Sequence, residues 1–559
     1  MARKRWSENP TRRAFLQRVA AGSLAGIVGA SVGTTDATTR DTHIERVEIE
    51  SFDGTTIVGS VYEPAGAATT ATDRSYPAVL MTHTWGSDRM GTAQVRMAEY
   101  YAQNGYVVLV YDSRGFGESD GTVGLNGPNE VRDASALISW LGRRSTVEVD
   151  EPIDGRVNPR VGMDGISYAG GLQLTVAAAD DRLDAIVPRL AWHDLSYSFA
   201  PDGVIKKGWA TLLYVTGIAD SRGISLEDMV LSFENIEHGV EPQLHEIYRD
   251  TMVENELTED AWEYLNARSP IEKLDQIDIP TLFIAGWSDT LFTPQEAIRN
   301  YRKLRNQAVE TRLLLHDGGH TLGVSSTSGG TAAYIDDIAR AWMDTHLTDG
   351  TSPMNLPPIT YYHQQSDSWE AINRFPAAED GLTFSLESAA LGTHSLLVNT
   401  VVSTSMNQFV PILEGGVTAV SFDFPVDEPF ELLGPPVLDV TIAPLGRETR
   451  LFAMLSRIHS ENETQLYNQV TPFSVETEDD TAEELMERKN RRGLELQSEQ
   501  KHIELVVTQH QFDSDDALRL TLATTDDAFF ASRTSLGALV YHSEETPATL
   551  SVPVRRRDF

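Results

Sequence analysis

Three short stretches carry residue types that can perform acyl chemistry. The first is Gly165-Ile166-Ser167-Tyr168-Ala169-Gly170-Gly171, with a serine at its centre. A serine hydroxyl is a weak nucleophile until a histidine takes its proton, and that histidine needs a carboxylate to fix its tautomer. Asp289 supplies the carboxylate from Gly286-Trp287-Ser288-Asp289-Thr290-Leu291-Phe292, and His320 the base from His316-Asp317-Gly318-Gly319-His320. His316 ends an apolar run and reads as a turn or core residue, whereas His320 sits in a Gly-Gly loop that can reach Ser167. Asp289 could instead cap a helix, but Thr293 before Pro294 fills that role better. Asp278 and Asp317 read as turn residues. A developing oxyanion needs two donors. The backbone N–H of Tyr168 is one candidate, and Trp85 in His83-Thr84-Trp85-Gly86-Ser87 offers its backbone N–H and also its indole N–H. His83 is expected to orient that loop, and Asp112 and Arg114 to brace the next one by charge-assisted bonds.

These side chains are useful only if the chain presents them together. Arg160 to Gly165 reads as a buried strand and Leu172 to Ala179 as a helix of small and apolar residues, so Ser167 lies on a sharp strand-to-helix turn. Glycines flank it because the turn leaves little room for side chains. Ile44 to Glu63 alternates about Asp53-Gly54 as a β-hairpin. Pro77 to Thr82 and Tyr106 to Tyr111 are continuous apolar runs, as in strands buried on both faces. Helices are predicted over Ala93 to Asn104 and Glu130 to Leu141. The alternation means a parallel sheet between helical layers. It stops after Pro188; residues 194–273 carry helical spacing without a buried strand and read as an inserted lid. Strands resume at Pro280 to Ala285 and Thr311 to Leu315, placing Asp289 and His320 at carboxyl ends, where ligands collect in open α/β sheets. Ala332 to Leu347 is a helix with Ile335, Ile338, Ala339, Trp342 and Met343 on its core face.

Residues 351–358 are a Pro-rich linker, and 359–559 read as short strands only, a β-sandwich or jelly roll. The strands are placed at Ile359 to Tyr362, Leu382 to Leu386, Ala419 to Phe424, Val437 to Ala443, Arg450 to Ile458, Ile503 to Val507 and Leu518 to Ala523. Trp369, Phe375, Phe422 and Phe424 read as core, and the acidic-then-basic block Glu476 to Arg492 as a solvated excursion.

The chain holds 82 Asp and Glu against 45 Lys and Arg, a net charge of −37, and no cysteine. That excess excludes nucleic acid as a natural partner and predicts a protein built for concentrated salt. Absence of cysteine removes disulfides, thiolate metal sites and a cysteine nucleophile. No metal or organic cofactor is implied. Thr11-Arg12-Arg13-Ala14-Phe15-Leu16 followed by the small and apolar run Val19 to Val32 resembles a twin-arginine signal. The run is short of the ~20 residues a spanning helix needs. Residues 1–39 are therefore read as signal peptide and spacer, and the protein as exported, extracellular or surface-associated, with no stable membrane span once mature.

The Gly-x-Ser-Tyr-x-Gly turn, Asp112-Ser-Arg-Gly-Phe-Gly-Glu-Ser119, Gly-Trp-x-Asp-x-x-Phe and Gly-Gly-His together resemble cocaine esterase and the X-prolyl dipeptidyl-peptidases, the CocE/NonD and peptidase S15-like α/β-hydrolases. The resemblance runs in order over residues 43–556. It implies an α/β-hydrolase core (residues 43–350) with an inserted helical lid, then a C-terminal all-β jelly-roll (galactose-binding-like) domain. It also implies acyl transfer through a serine acyl-enzyme on small esters, amides or X-Pro peptides. Two departures stand out. Trp85 occupies the place where cocaine esterase-like members put an oxyanion tyrosine. Ala169-Gly170-Gly171 offers no carboxylate where amino-ester hydrolases place one for the amine; Asp194, Glu227 and Asp228 of the lid are the candidates to replace it. A non-catalytic surface or carbohydrate-binding protein is the rival reading from another class.

Overall fold

The computed structural model describes residues 42–65, 74–221, 239–320, 329–348, 356–389, 393–399, 417–477, 496–533 and 535–555. The expected signal peptide, most of the linker, Glu227, Asp228 and the charged block beyond Thr477 lie outside them.

Ten strands form the central sheet. The hairpin β1 (His43–Glu50) and β2 (Thr56–Glu63) opens it, followed by β3 (Ala78–Thr82) and β4 (Val107–Tyr111). A small hairpin apart from the sheet, β5 (Val149–Ile153) and β6 (Arg156–Pro159), precedes β7 (Val161–Ile166), β8 (Ala185–Arg189), β9 (Thr281–Gly286) and β10 (Thr311–His316). The order is β1-β2-β4-β3-β7-β8-β9-β10, continued by two further strands at the far edge. From β4 to β10 the pairs are parallel. Every residue of β3, β4, β8 and β9 is buried, because helices cover both faces and the apolar runs need no polar alternation. The helix Gly329–Leu347 packs Ile335, Ala339, Trp342 and Met343 into one of these layers, with Ile338 partly buried beside them. Ser167, Asp289, His320 and Trp85 all follow carboxyl ends of parallel strands, which brings four distant stretches to one rim.

One strand pairing crosses the boundary expected from the sequence. Ile359 to Tyr362, assigned there to the β-domain, belongs to β11 (Ile359–His363), which runs parallel to β10. β12 (Ser368–Ile372) then pairs antiparallel and ends the sheet. The helix Gly329–Leu347 is the crossover that a parallel β10–β11 pair requires. The linker thus leads into strands that extend the central sheet, which ends at Ile372. Trp369 packs there, against Tyr334 and Tyr362, rather than inside the sandwich.

The described part of the lid contains the helices Leu195–Phe199, Lys207–Ser221, Pro242–Glu254 and Glu259–Asn266. Beyond Ile372, a six-stranded and a five-stranded antiparallel sheet enclose a second core that includes Phe422, Phe424, Leu438, Leu451 and Leu520. One expected strand is displaced. Instead of Ile503 to Val507, the chain forms Glu499–Glu504 and Thr508–Phe512. The intervening backbone leaves the ladder because Val507 N–H donates to Gln295 Oε1 of the hydrolase core at 2.7 Å.

Candidate active site

Ser167 follows β7 with φ 60° and ψ −116°, a conformation rarely tolerated by a residue bearing Cβ. The neighbouring sequence makes room for it. A Cβ on Gly165 would lie 2.6 Å from the Ala169 methyl, so alanine at 169 is accommodated because 165 is glycine. A Cβ on Gly170 would come 2.4 Å from the Arg189 carbonyl, and one on Gly171 2.2 Å from the Trp192 ring. Ser167 N–H donates to Arg189 O at 2.8 Å, tying the turn to β8. Arg189 in turn is buried between Asp164 and Asp336, at 2.6 and 2.7 Å.

Ser167 Oγ lies 2.7 Å from His320 Nε2, and His320 Nδ1 lies 2.8 Å from Asp289 Oδ2. Asp289 is fully buried. Its other oxygen, Oδ1, accepts the backbone N–H groups of Leu291 and Phe292, each at 2.9 Å. Glycines let the acid loop and the histidine loop meet backbone to backbone. A Cβ on Gly286 would sit 2.1 Å from Gly318 O, and one on Gly319 2.3 Å from Ser288 O. The Gly-Trp and Gly-Gly-His patterns are thus two halves of one close contact. Phe292 and the lid's Trp209 set their rings edge-on to His320, at 5.0 and 5.8 Å. His316 stays apart: its Nδ1 accepts the Gly318 N–H, and burial pushes its pKa down to about 4.

Tyr168 begins the helix Tyr168–Ala177, where first-turn N–H groups lack intrahelical acceptors. Its ring is buried against Trp85 and Phe116. The Trp85 indole does not serve the oxyanion: its N–H donates to Leu213 O in the lid at 2.8 Å. That leaves the Trp85 backbone N–H as the second candidate donor. His83 does orient its loop, with Nε2 accepting the Ser113 N–H at 3.0 Å. Burial lowers its pKa and keeps it neutral. Asp112 pairs with Arg89, and Arg114 with Asp133 and Asp53, as bracing residues do.

Above Ser167 lies a pocket, partly open to solvent, lined by Trp85, Leu125, Trp192, Leu213, Tyr248 and Phe292, among others. Among the described residues, no charged side chain lines it. Asp194, weighed above as an amine ligand, is spent capping its helix, accepting the N–H groups of Ser196 and Tyr197. Sequence reasoning placed aromatics in the lid but gave no means of aiming them; the pocket is what it missed. On the β-domain, ligand atoms of His459, Asp515 and Asp516 lie within 4.8 Å of one another, but Arg457 at 2.8 Å already answers the Asp516 charge.

Residues 53–322 match the family model described as X-Pro dipeptidyl-peptidase (S15 family), and residues 352–549 that of the X-Pro dipeptidyl-peptidase C-terminal non-catalytic domain. A Bacillus cereus protein provisionally named an Xaa-Pro dipeptidyl-peptidase is 24% identical over 285 residues, 50% of this chain and 45% of that one. The match thus spans under half the length of that relative. A CocE/NonD family hydrolase from Staphylococcus aureus superposes with a TM-score of 0.63 at 16% identity, covering 94% of this chain and 99% of the other. An aminopeptidase from a marine sediment Thaumarchaeota archaeon does so with a TM-score of 0.67 at 14% identity, covering 95% and 99%. At that identity the likeness establishes the shared fold, core and β-domain alike. The two family models in tandem show that the chain belongs to the peptidase S15 family, built on the α/β-hydrolase fold that these solved structures share.

Proposed function

We propose that the protein is a serine hydrolase that cleaves carboxylic esters with apolar acyl groups through an acyl-enzyme. The observation that carries the reading is the unbroken relay from Ser167 Oγ to His320 at 2.7 Å and from His320 to Asp289 at 2.8 Å. Ser167 attacks the acyl carbonyl while His320 Nε2 accepts its proton. Asp289 holds the Nδ1–H tautomer and stabilises the imidazolium that forms. The N–H groups of Tyr168 and Trp85 receive the oxyanion, an arrangement in which each donor is worth about 10²–10³ in rate. His320 then protonates the leaving group, and water returns along the same path to release the acid.

The pocket favours neutral, apolar substrates. A protonated α-amine placed among Trp192, Leu213 and Phe292 would lose its hydration with no carboxylate to answer it. The second reading, an X-Pro dipeptidyl-peptidase, is favoured by the family model over residues 53–322 and needs such a carboxylate. p-Nitrophenyl acetate, butyrate and octanoate, run against Ala-Pro-p-nitroanilide, separate the two. Rates should rise from acetate to butyrate, and Ala-Pro-p-nitroanilide should turn over at least a hundredfold more slowly. Ser167→Ala should abolish ester turnover and fluorophosphonate labelling while preserving the circular dichroism spectrum. Near-parental turnover by Ser167→Ala would remove the proposal, and a preference for the dipeptide would reverse the choice of substrate.

A further inference from the structure

Among the described residues, two side chains from outside the hydrolase sheet hold backbone carbonyls of the loop that carries Asp289. Inside the loop, the N–H groups of Leu291 and Phe292 converge on Asp289 Oδ1. The loop's carbonyl groups are taken up by donors from elsewhere in the fold. Gln469, in the β-domain, donates through Nε2 to Trp287 O at 2.7 Å and to Asp289 O at 2.9 Å. Lys206, at the root of the lid, donates through Nζ to Thr290 O at 2.9 Å and to Leu291 O at 2.8 Å. Both side chains are buried.

Each of these donors is itself held in place. Gln469 follows Tyr467 and Asn468, which take φ of 51° and 55°, the left-handed region that a tyrosine seldom occupies. Strain of this kind persists only where its surroundings enforce it. Here the Tyr467 ring lies over Trp287 with centroids 6.1 Å apart, its hydroxyl donates to Gln509 Oε1, and Gln465 Nε2 donates to the Gln469 carbonyl. The β-domain also grips the segment around Lys206: Phe530 N–H donates to Ile205 O, and Gly208 N–H to Ala528 O. Both jaws of the clamp are therefore set by residues of the β-domain.

We infer that the β-domain positions the acid of the relay, with Gln469 as a positioning residue that sets the orientation of Asp289 toward His320. The inference rests on the serine-hydrolase reading above. It assigns to the C-terminal domain a part in catalysis that its family description, a non-catalytic domain, does not contain. Removing the Gln469 donors frees the Trp287 and Asp289 carbonyls to turn, so the carboxylate loses its fixed angle and the Asp289–His320 bond weakens. A weaker bond stabilises the imidazolium less, which lowers the pKa of the base.

The test compares Gln469→Met, which keeps length and volume but has no donor, with Gln295→Met. Gln295 clasps the same domain through Val507 N–H and Glu504 Oε1, but from the helix Pro294–Asn306 and not from the acid loop carbonyls. Both are assayed as full-length chains in molar salt on p-nitrophenyl butyrate, with active sites counted by fluorophosphonate titration. Gln469→Met should lose about tenfold in kcat per titrated site with KM within twofold, and its acid limb in the kcat/KM–pH profile should move to lower pH by about half a unit. Gln295→Met should lower the thermal midpoint yet keep kcat and the acid limb. If Gln469→Met folds poorly, Gln469→Asn, whose shorter amide cannot span both carbonyls, carries the same expectations. Parental kcat and pH profile in a folded Gln469 variant overturn the inference. So does an equal kcat loss and limb shift in Gln295→Met, which would make domain docking alone the cause. Failure of the serine-hydrolase reading shows separately, as absent fluorophosphonate labelling in the parent chain.

Discussion

Replacing Asp289 by asparagine changes one atom and should silence the enzyme without unfolding it. The outcome follows from which end of the new amide faces which neighbour. Leu291 and Phe292 both present N–H groups to Oδ1 at 2.9 Å, while His320 Nδ1 faces Oδ2 at 2.8 Å. If the asparagine oxygen turned toward His320, its NH2 would confront two backbone donors in a fully buried site. Each unsatisfied buried donor costs about 1–3 kcal/mol. The opposite orientation keeps both backbone bonds and places the NH2 against His320 Nδ1, a clash the imidazole relieves by shifting its proton to Nε2. That tautomer donates to Ser167 Oγ and has no lone pair for the serine proton. The expected loss in kcat is about 10⁴-fold, or roughly 5 kcal/mol of transition-state stabilisation at 1.36 kcal/mol per decade. Hydrolysis of p-nitrophenyl butyrate and the rate of fluorophosphonate labelling should fall together, with the thermal midpoint within a few degrees of the parent. An Asp289→Asn protein retaining more than about a tenth of parental kcat would refute both the tautomer argument and the role given to the acid.

Two further outcomes concern stability. Burial raises the pKa of Glu130 to about 7 from 4.5, so its contribution is fully present below the unfolded pKa and lost as pH rises toward 7. The full loss is about 3 kcal/mol. Glu130→Gln keeps the acceptor for Gly124 N–H and should be more stable than the parent by about 2–3 kcal/mol at pH 8, narrowing to under about 1 kcal/mol at pH 5. Urea denaturation at both pH values in fixed salt measures this, and an equal gap at the two values would show that Glu130 is not the source. The charge excess of −37 should make the fold salt-dependent. The Debye length grows from about 3 Å at 1 M to about 30 Å at 0.01 M, exposing the carboxylates to one another. Far-UV circular dichroism should collapse on dialysis to low salt, and an unchanged spectrum would show that the charge excess does not govern stability.

What the sequence made legible depended on local physics. Ser167, Asp289 and His320 could be read because each lies in a turn whose glycines answer a backbone approach, as at Gly170, Gly286 and Gly319. The parallel strands were readable because burial on both faces removes polar alternation. Trp85 was legible as a loop residue but not in its contacts, since nothing in its neighbourhood announces Leu213 more than 100 residues away. The pairing of β11 with β10 was hidden for a related reason. Ile359–His363 (Ile-Thr-Tyr-Tyr-His) is a short buried strand without clear alternation, and such a strand carries no mark of the sheet it joins. Gln469 gave no signal at all. A single amide in a turn has no periodicity, and its value comes wholly from the two carbonyls that the fold brings to it.

The same consideration explains why polar side chains sit at the junction between core and β-domain, beside the apolar contacts of Leu433 and Val507. Apolar contacts fill volume but are non-directional, so they tolerate sliding. Hydrogen bonds fix distance and angle together. The junction uses Gln295 on Val507, Gln469 on Trp287 and Asp289, and Tyr361 on the buried Glu431 at 2.7 Å, with Gln509 donating to the same carboxylate. A polar junction costs more to bury than an apolar one, and a loosely docked accessory domain would have no need of it. A domain that must hold a carboxylate at a fixed angle to an imidazole does need it, because the relay through His320 is sensitive to the orientation of Asp289 and the apolar packing around it is not.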